Sequence, residues 1–258
     1  MSRVVLVRGR GGPDVLHVVQ REVPTPRSKA VRIRVEAAGV AFGDVMRRRG
    51  VLAPPGAFTP GYDVVGVIDA VGETVSGDWL GRRVAAMMPS VGLGGYADHV
   101  CVPADRLARV PDGVPPAEAV ALGLNYITAY QLLHRFSPVR AGQRILIHGA
   151  AGGVGTALLE LGEKLGLEMY GTASSAKHDL VRERGGVPID YRSEDFVSRV
   201  AELTHGGGVD VVFDSIGGAH LRRSYQTLRP RGTLVSFGVS GDLSRGWLGV
   251  IAGFWPFL

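Results

Sequence analysis

The residues best suited to chemistry are the run Arg144-Ile-Leu-Ile-His-Gly-Ala-Ala-Gly-Gly-Val-Gly. Ile145, Leu146 and Ile147 form the short apolar stretch expected of a strand buried on both faces. Glycines break it, and Thr156 to Leu165 then reads as a helix. A strand, a glycine turn and a helix in this order suit a dinucleotide: the turn admits a pyrophosphate, and the helix offers it unbonded N–H groups and partial positive charge. The pattern is Ala150-x-Gly152-x-x-Gly155, with alanine in place of the first glycine, so Ala150, Gly152, Gly153, Val154 and Gly155 form the candidate cradle.

The choice of dinucleotide follows from charge. An NAD site requires an acid about 20 residues past the glycines, to bind the ribose 2′-hydroxyl. Here the second strand runs through Tyr170 and Thr172 to Ser174, Ser175 and Lys177, with no acid before Asp179. Hydroxyls and a cation suit a 2′-phosphate, which favours NADPH; the plain alternative for Lys177 is the cap of a surface loop. Thr172 and Ser174 join the coenzyme set.

Elements that alternate must position these residues. From residue 140 onward, strands are expected at 144–148, 167–172, 187–190, 209–214 and 233–237, and helices at 153–165, 176–184, 193–203 and 218–228. Repeated βα units imply a doubly wound parallel sheet. Residues 1–110 read as strands: Val31 to Ala37 alternates with period two, 63–71 is continuous enough to be buried on both faces, and 96–102 is stopped by Pro103. Prolines punctuate the gaps, as in a small barrel or partly open sheet. Asp44 to Arg49, followed by Gly50, reads as a short helix. Pro115-Pro116 opens a helix, and Asn125 to Phe136 continues as another. The expected domains are 1–122 and 123–258.

Composition narrows the class. The chain has 258 residues, 45% hydrophobic and 21% charged, which is globular. The single cysteine, Cys101, rules out an internal disulfide and a four-cysteine zinc lobe. The N-terminal apolar stretch is too short for a signal peptide, so the cytoplasm is the expected compartment. The net charge is +5, but the arginines lie in small scattered groups without interleaved aromatics, which argues against nucleic acid.

Four stretches together resemble the medium-chain dehydrogenase/reductase superfamily, in its zinc-independent quinone oxidoreductase branch. They are residues 37–46, residues 60–72, Asn125-Tyr-Ile-Thr-Ala-Tyr, and His148-Gly-Ala-Ala-Gly-Gly-Val-Gly with Phe213-Asp-Ser-Ile-Gly-Gly. The resemblance implies an α/β chain: a GroES-like β-barrel domain, then a Rossmann domain, with the active site in a cleft between them. It places Ala41 and Tyr62 where zinc-dependent relatives carry ligands, and neither is a plausible one. It matches Tyr191 to a residue flanking the 2′-phosphate. It also matches Asn125, Thr128, Ser215, Phe237 and Gly238 to positions near the nicotinamide; interdomain packing is the plain alternative for each.

The implied reaction is NADPH-dependent hydride transfer to a quinone or enone-type acceptor, which needs proximity and exclusion of water more than an acid–base pair. Phe42, Asp44, Tyr62 and Asn125 are the candidate substrate-facing residues. Tyr62 either hydrogen-bonds the acceptor oxygen or fills the space a ligand would occupy, and Asp44 either caps its helix or orders that wall. Relatives often dimerise along the Rossmann sheet edge, so a homodimer is a further expectation. Relatives also continue past the fifth strand, so the sheet is expected to lack its last strand. A rival reading is a binding or structural protein without turnover. The apolar stretch 246–258 is too short to span a bilayer, and attachment to a membrane surface through it is the weakest alternative, because the arginines are not gathered beside it.

Overall fold

The structure, a computed structural model, describes residues 1–88 and 93–241. The chain divides into two compact units, Met1–Leu124 and the chain from Asn125 onward.

In the first unit, β1 (Ser2–Val7) and β2 (Leu16–Arg21) form an antiparallel hairpin. β3 (Ala30–Ala38) is followed by helix α1 (Phe42–Arg48), then β4 (Asp63–Val71), β5 (Arg83–Met87), β6 (His99–Pro103), β7 (Leu107–Arg109) and helix α2 (Pro116–Leu122). The larger sheet is antiparallel in the order β6-β3-β4-β5-β7. Among the described residues β6 and β7 do not pair with each other. Val31, Ile33, Val64, Ile68, Val84, Val100 and Val102 form the core on one face. Val65 faces the other way, against Ala119 and Val120 of α2. β4 is therefore buried on both faces at its start and alternates further on.

The strand expected at 96–102 starts later, at His99. Ala97 bridges to Val4 of the hairpin, and the Asp98 carboxylate is held by Arg3, so both are drawn to β1.

The second unit begins with helix α3 (Leu124–Gln131), whose first residue belongs to the unit before, and a π-helical turn at Leu132–Phe136. There follow β8 (Arg144–His148), α4 (Gly153–Lys164), β9 (Glu168–Ala173), α5 (His178–Arg182), β10 (Gly186–Asp190), α6 (Phe196–Leu203), β11 (Val209–Asp214), α7 (His220–Gln226) and β12 (Leu228–Ser236). The five strands are parallel in the order β10-β9-β8-β11-β12. Side chains alternate across the sheet as a strand's period of two requires. Ile145, Ile147, Val211 and Phe213 pack with Ala129 of α3, Leu158 of α4 and Val181 of α5. Leu146 and Val212 face the opposite side, toward Phe196 and Val200 of α6.

Several expected elements have different bounds, and three of the differences have a visible form. α5 is shorter than 176–184, because a 3₁₀ turn occupies Ser175–Lys177. The helix expected to run to Phe136 gives way to the π turn after Gln131. β12 begins at Leu228, not at 233, and contains Pro230. Proline is tolerated there because β12 is an outer strand of the described sheet. The apolar stretch 246–258 lies outside the described residues, and so does the expectation that the sheet lacks its last strand.

Candidate functional site

In the second unit the chain passes from β8 to β9 on one side of the sheet and later from β10 to β11 on the other. The strand order thus reverses beside β8, and open α/β sheets place ligand crevices at the C-terminal ends of strands at such a reversal. The glycine turn stands there. Gly149 takes φ +68°, a conformation that costs glycine little. Its carbonyl lies so close to Gly155 that an added Cβ would come within 2.3 Å of it. Gly155 is therefore required for the helix to start against the turn. The Ala150 N–H donates to the Thr172 carbonyl at 3.0 Å. Ala150 is wholly buried, and its methyl abuts Gly171. An alanine at this position is thus a packing residue, and the amides do not depend on its side chain.

No side chain caps the N-terminus of α4 at Gly152, so Gly153, Val154 and Gly155 present the first amides of a twelve-residue helix. The Asn125 side chain lies over Gly153, 2.7 Å from where a Cβ would stand. Thr128 sits one turn further along α3. Beside the turn, the Ser215 hydroxyl donates to the His148 carbonyl at 3.1 Å. Gly238 approaches the Ser215 carbonyl to 2.6 Å at its would-be Cβ. The Phe237 N–H donates to the Asp214 carbonyl at 2.9 Å. Ser215 follows the C-terminal end of β11, and Phe237 and Gly238 follow that of β12.

The adenosine-end candidates gather one strand over. Ala173 of β9 pairs with Asp190 of β10, so the loop carrying Ser174 and Lys177 leaves the sheet beside the one carrying Tyr191. Lys177 and Tyr191 are exposed. The Arg192 guanidinium lies over the Tyr191 ring, 5.6 Å from its centre, and adds a cation to this corner. Sequence reasoning missed Arg192, although it adjoins a residue already singled out. Thr172 differs from its neighbours. It is buried, and its hydroxyl is engaged by the His148 ring at 3.1 Å and the Gly149 N–H at 3.2 Å. It braces the turn and does not stand free at the strand end.

The first unit holds the other candidates. Asp44 is buried and held by three donors: it accepts from Ala41 N at 3.1 Å, Gly61 N at 2.9 Å and the Tyr96 hydroxyl at 3.0 Å. It therefore both closes the N-terminus of α1 and ties that helix to Gly61 and Tyr96. The Tyr62 ring packs under the Arg47 guanidinium, 4.6 Å from its centre, and its hydroxyl abuts Gly43. Burial raises the Tyr62 pKa, so this phenol stays protonated near neutrality. Phe42 is 51% exposed and stands apart from this packed group.

A second missed feature is a buried polar cluster at the ends of β8 and β11: His148, Asp214, His220 and Ser224. Sequence reasoning had His148 and Asp214 only as letters of motifs. His220 and Ser224, four apart on one helix face, were the available signal.

Two family models match the chain: "Alcohol dehydrogenase GroES-like domain" over residues 27–112 and "Zinc-binding dehydrogenase" over 153–250. The chain is 38% identical over 248 residues to the synaptic vesicle membrane protein VAT-1 homolog of Rattus norvegicus, covering 94% of this chain but 60% of the relative. It thus spans about three fifths of that relative's length. It is 35% identical to a probable quinone oxidoreductase of Schizosaccharomyces pombe, over 92% of this chain and 72% of the relative. Among solved structures, Escherichia coli quinone oxidoreductase complexed with NADPH superposes with a TM-score of 0.87 at 32% identity, covering 92% of this chain and 73% of that one. The chain belongs to the medium-chain dehydrogenase/reductase superfamily and is quinone oxidoreductase-like.

Proposed function

From this membership we propose that the chain is an NADPH-dependent oxidoreductase that reduces a quinone or enone-type carbonyl acceptor without zinc. The observation that carries the reading is the glycine turn at the strand-order reversal, with a following helix that no side chain caps. The NADPH found with the E. coli relative supports the choice of coenzyme. When bound, the coenzyme supplies the hydride.

The roles of the chain's own residues follow from their chemistry. The amides of Gly153, Val154 and Gly155 take the diphosphate charge. Ser174, Lys177, Tyr191 and Arg192 offer hydroxyls and cations to a 2′-phosphate. Asn125, Thr128, Ser215, Phe237 and Gly238 serve the nicotinamide end. In the first unit Phe42 and Tyr62 are the proposed acceptor contacts, with Asp44 holding the helix that bears Phe42. Zinc does not fit the place where the resemblance would put it, because Ala41 has no ligand atom and Tyr62 is a protonated phenol packed under an arginine. The reading includes a cytoplasmic location and pairing of two copies along an outer strand of the second sheet. No helix among the described residues is long and apolar enough to cross a membrane.

Fluorescence titration with NADPH and NADH, followed by NADPH oxidation over a panel of quinones and enones, tests the reading. Tighter NADPH binding and consumption with at least one acceptor are expected. Failure of folded protein to take up either coenzyme overturns it. A second reading, coenzyme binding without turnover, is favoured by the relatives that bear a vesicle membrane protein's name. NADPH uptake with no consumption on any acceptor selects it.

A further inference from the structure

The buried cluster behind the glycine turn forms a chain of hydrogen bonds whose direction is set by the carboxylate at one end. The Gly149 N–H can only donate, and it donates to Thr172 Oγ1 at 3.2 Å. The Thr172 hydroxyl also lies 3.1 Å from His148 Nδ1. At the other end Asp214 accepts. Its Oδ1 takes the N–H groups of Ile216 at 2.7 Å and Gly217 at 3.0 Å. Its Oδ2 takes the Ser224 hydroxyl at 2.6 Å and His220 Nδ1 at 2.9 Å. With its proton given to Asp214, Ser224 Oγ is free to accept from His148 Nε2 at 3.1 Å. With a neutral ring, one proton order satisfies every link: Gly149 to Thr172, Thr172 to His148, His148 to Ser224, Ser224 to Asp214.

We infer that His148 is a positioning residue, held as the neutral Nε2–H tautomer, that locks the glycine turn to the loop following Asp214. That loop carries Ser215, so the chain makes the two sides of the coenzyme site move as one; this consequence rests on the NADPH reading above. Burial, the largest influence, supports the neutral ring by lowering the His148 pKa to about 3. Burial pushes the Asp214 pKa up, but the hydrogen bonds from His220, Ser224 and Gly217 outweigh it and hold the group below the usual carboxylate range.

Two other readings of the cluster fit less well. Ser224 is not a nucleophile, because it is fully buried and its proton goes to Asp214 and not to the imidazole. His148, Asp214 and His220 offer ligand atoms within 4.8 Å of one another, but both His148 nitrogens, both Asp214 oxygens and His220 Nδ1 already have hydrogen-bond partners.

The test uses full-length protein labelled with ¹⁵N-histidine. Without coenzyme, the His148 signals, assigned by their loss in His148→Gln, should report a bare Nδ1 and a protonated Nε2. They should not change between about pH 8 and 5, where an ordinary histidine titrates. Ser224→Ala should speed amide exchange at Gly149, the far end of the chain, by roughly tenfold, the effect of one lost buried hydrogen bond. It should weaken NADPH binding by a similar factor and leave adenosine 2′,5′-bisphosphate binding unchanged. If Ser224→Ala does not fold, Thr172→Val cuts the same chain at another link.

The opposite tautomer, a ring that titrates in that range, a metal-shifted nitrogen signal, or unchanged Gly149 exchange overturns the inference. Equal loss of both ligands overturns the claim that the two sides are coupled. A wild-type chain that keeps the tautomer and the exchange effect but ignores NADPH overturns the coenzyme reading alone.

Discussion

Asp63 and Asp214 each stand at an end of a central strand, the first opening β4 and the second closing β11. Both are buried, at 4% and 0% exposed. Their surroundings drive them in opposite directions. Asp214 receives four donors over its two oxygens, and its pKa falls. Asp63 accepts from the Leu124 N–H through Oδ2 at 2.8 Å, while its Oδ1 has no hydrogen-bond partner. Burial raises the Asp63 pKa, the Leu124 N–H lowers it in part, and the nearby Asp44 carboxylate raises it again. Burial alone does not decide whether a carboxylate stabilises its fold. What decides it is the number of donors that meet the charge once water has been removed.

The largest test of this comparison is Asp214→Ala. Four donors lose their acceptor at once, so a loss of roughly 3–5 kcal/mol is expected, the usual cost of breaking a buried ionic network. Chemical denaturation measures it, and a loss below about 1 kcal/mol would show that the network is not holding the sheet edge. Acid gives a second view. The unfolded chain protonates His148 near its ordinary value of 6.5, while the native ring resists to about 3. The unfolded state therefore binds more protons in this window, and stability falls as pH drops below 6.5. Asp214, with its lowered native pKa, adds a loss of the same sign below the ordinary carboxylate value of 3.8. Stability measured against pH should therefore decline more gently for His148→Gln than for the wild type. An unchanged slope would mean that the native ring titrates normally.

The two carboxylates also mark what a sequence reveals. The glycine turn and β8 were legible because backbone geometry dictates residue type: apolar residues for a strand buried on both faces, glycine where Gly149 and Gly155 meet. The β11 strand was legible for the same reason. The Asp214 cluster was not, because its members are spread from His148 to Ser224 and only the parallel sheet brings them together. In sequence Thr172 joins the coenzyme set with Ser174. Its neighbour His148 turns it inward. The late start of β6 depends on Arg3, which lies 95 residues from Asp98, a pairing that no local pattern reveals. The Asp44 bond to Ala41 N is local, but its bonds to Gly61 and Tyr96 are long-range.

The same contrast predicts a smaller effect at an exposed charge. Lys177 sits at the surface, so Lys177→Ala should leave stability within about 0.5 kcal/mol of the wild type. A phosphate group bound there would change its weight. NADPH affinity should then fall by about 1.5 kcal/mol, roughly tenfold, while NADH affinity stays constant. Parallel titrations of the two coenzymes check this, and an equal fall for both would move Lys177 away from the 2′-phosphate.

The smallest expected change is also the sharpest, because it reverses the usual rule for buried charges. Asp63→Asn keeps an oxygen for the Leu124 N–H and removes the ionisable group. At Asp214 the loss of charge should be costly; at Asp63 it should change stability by less than about 1 kcal/mol near pH 5. The raised pKa sets the direction at higher pH. Ionisation is harder in the native state than in the unfolded chain, so the unfolded chain loses its proton first and wild-type stability declines as pH rises from 3.8 through the native pKa. The amide has no proton to lose, so Asp63→Asn should gain on the wild type across that interval and hold a constant advantage above it. Urea titrations at three pH values measure the difference. A variant that is markedly less stable at every pH would mean that Asp63 Oδ1 has a donor after all, and the two carboxylates would then be alike.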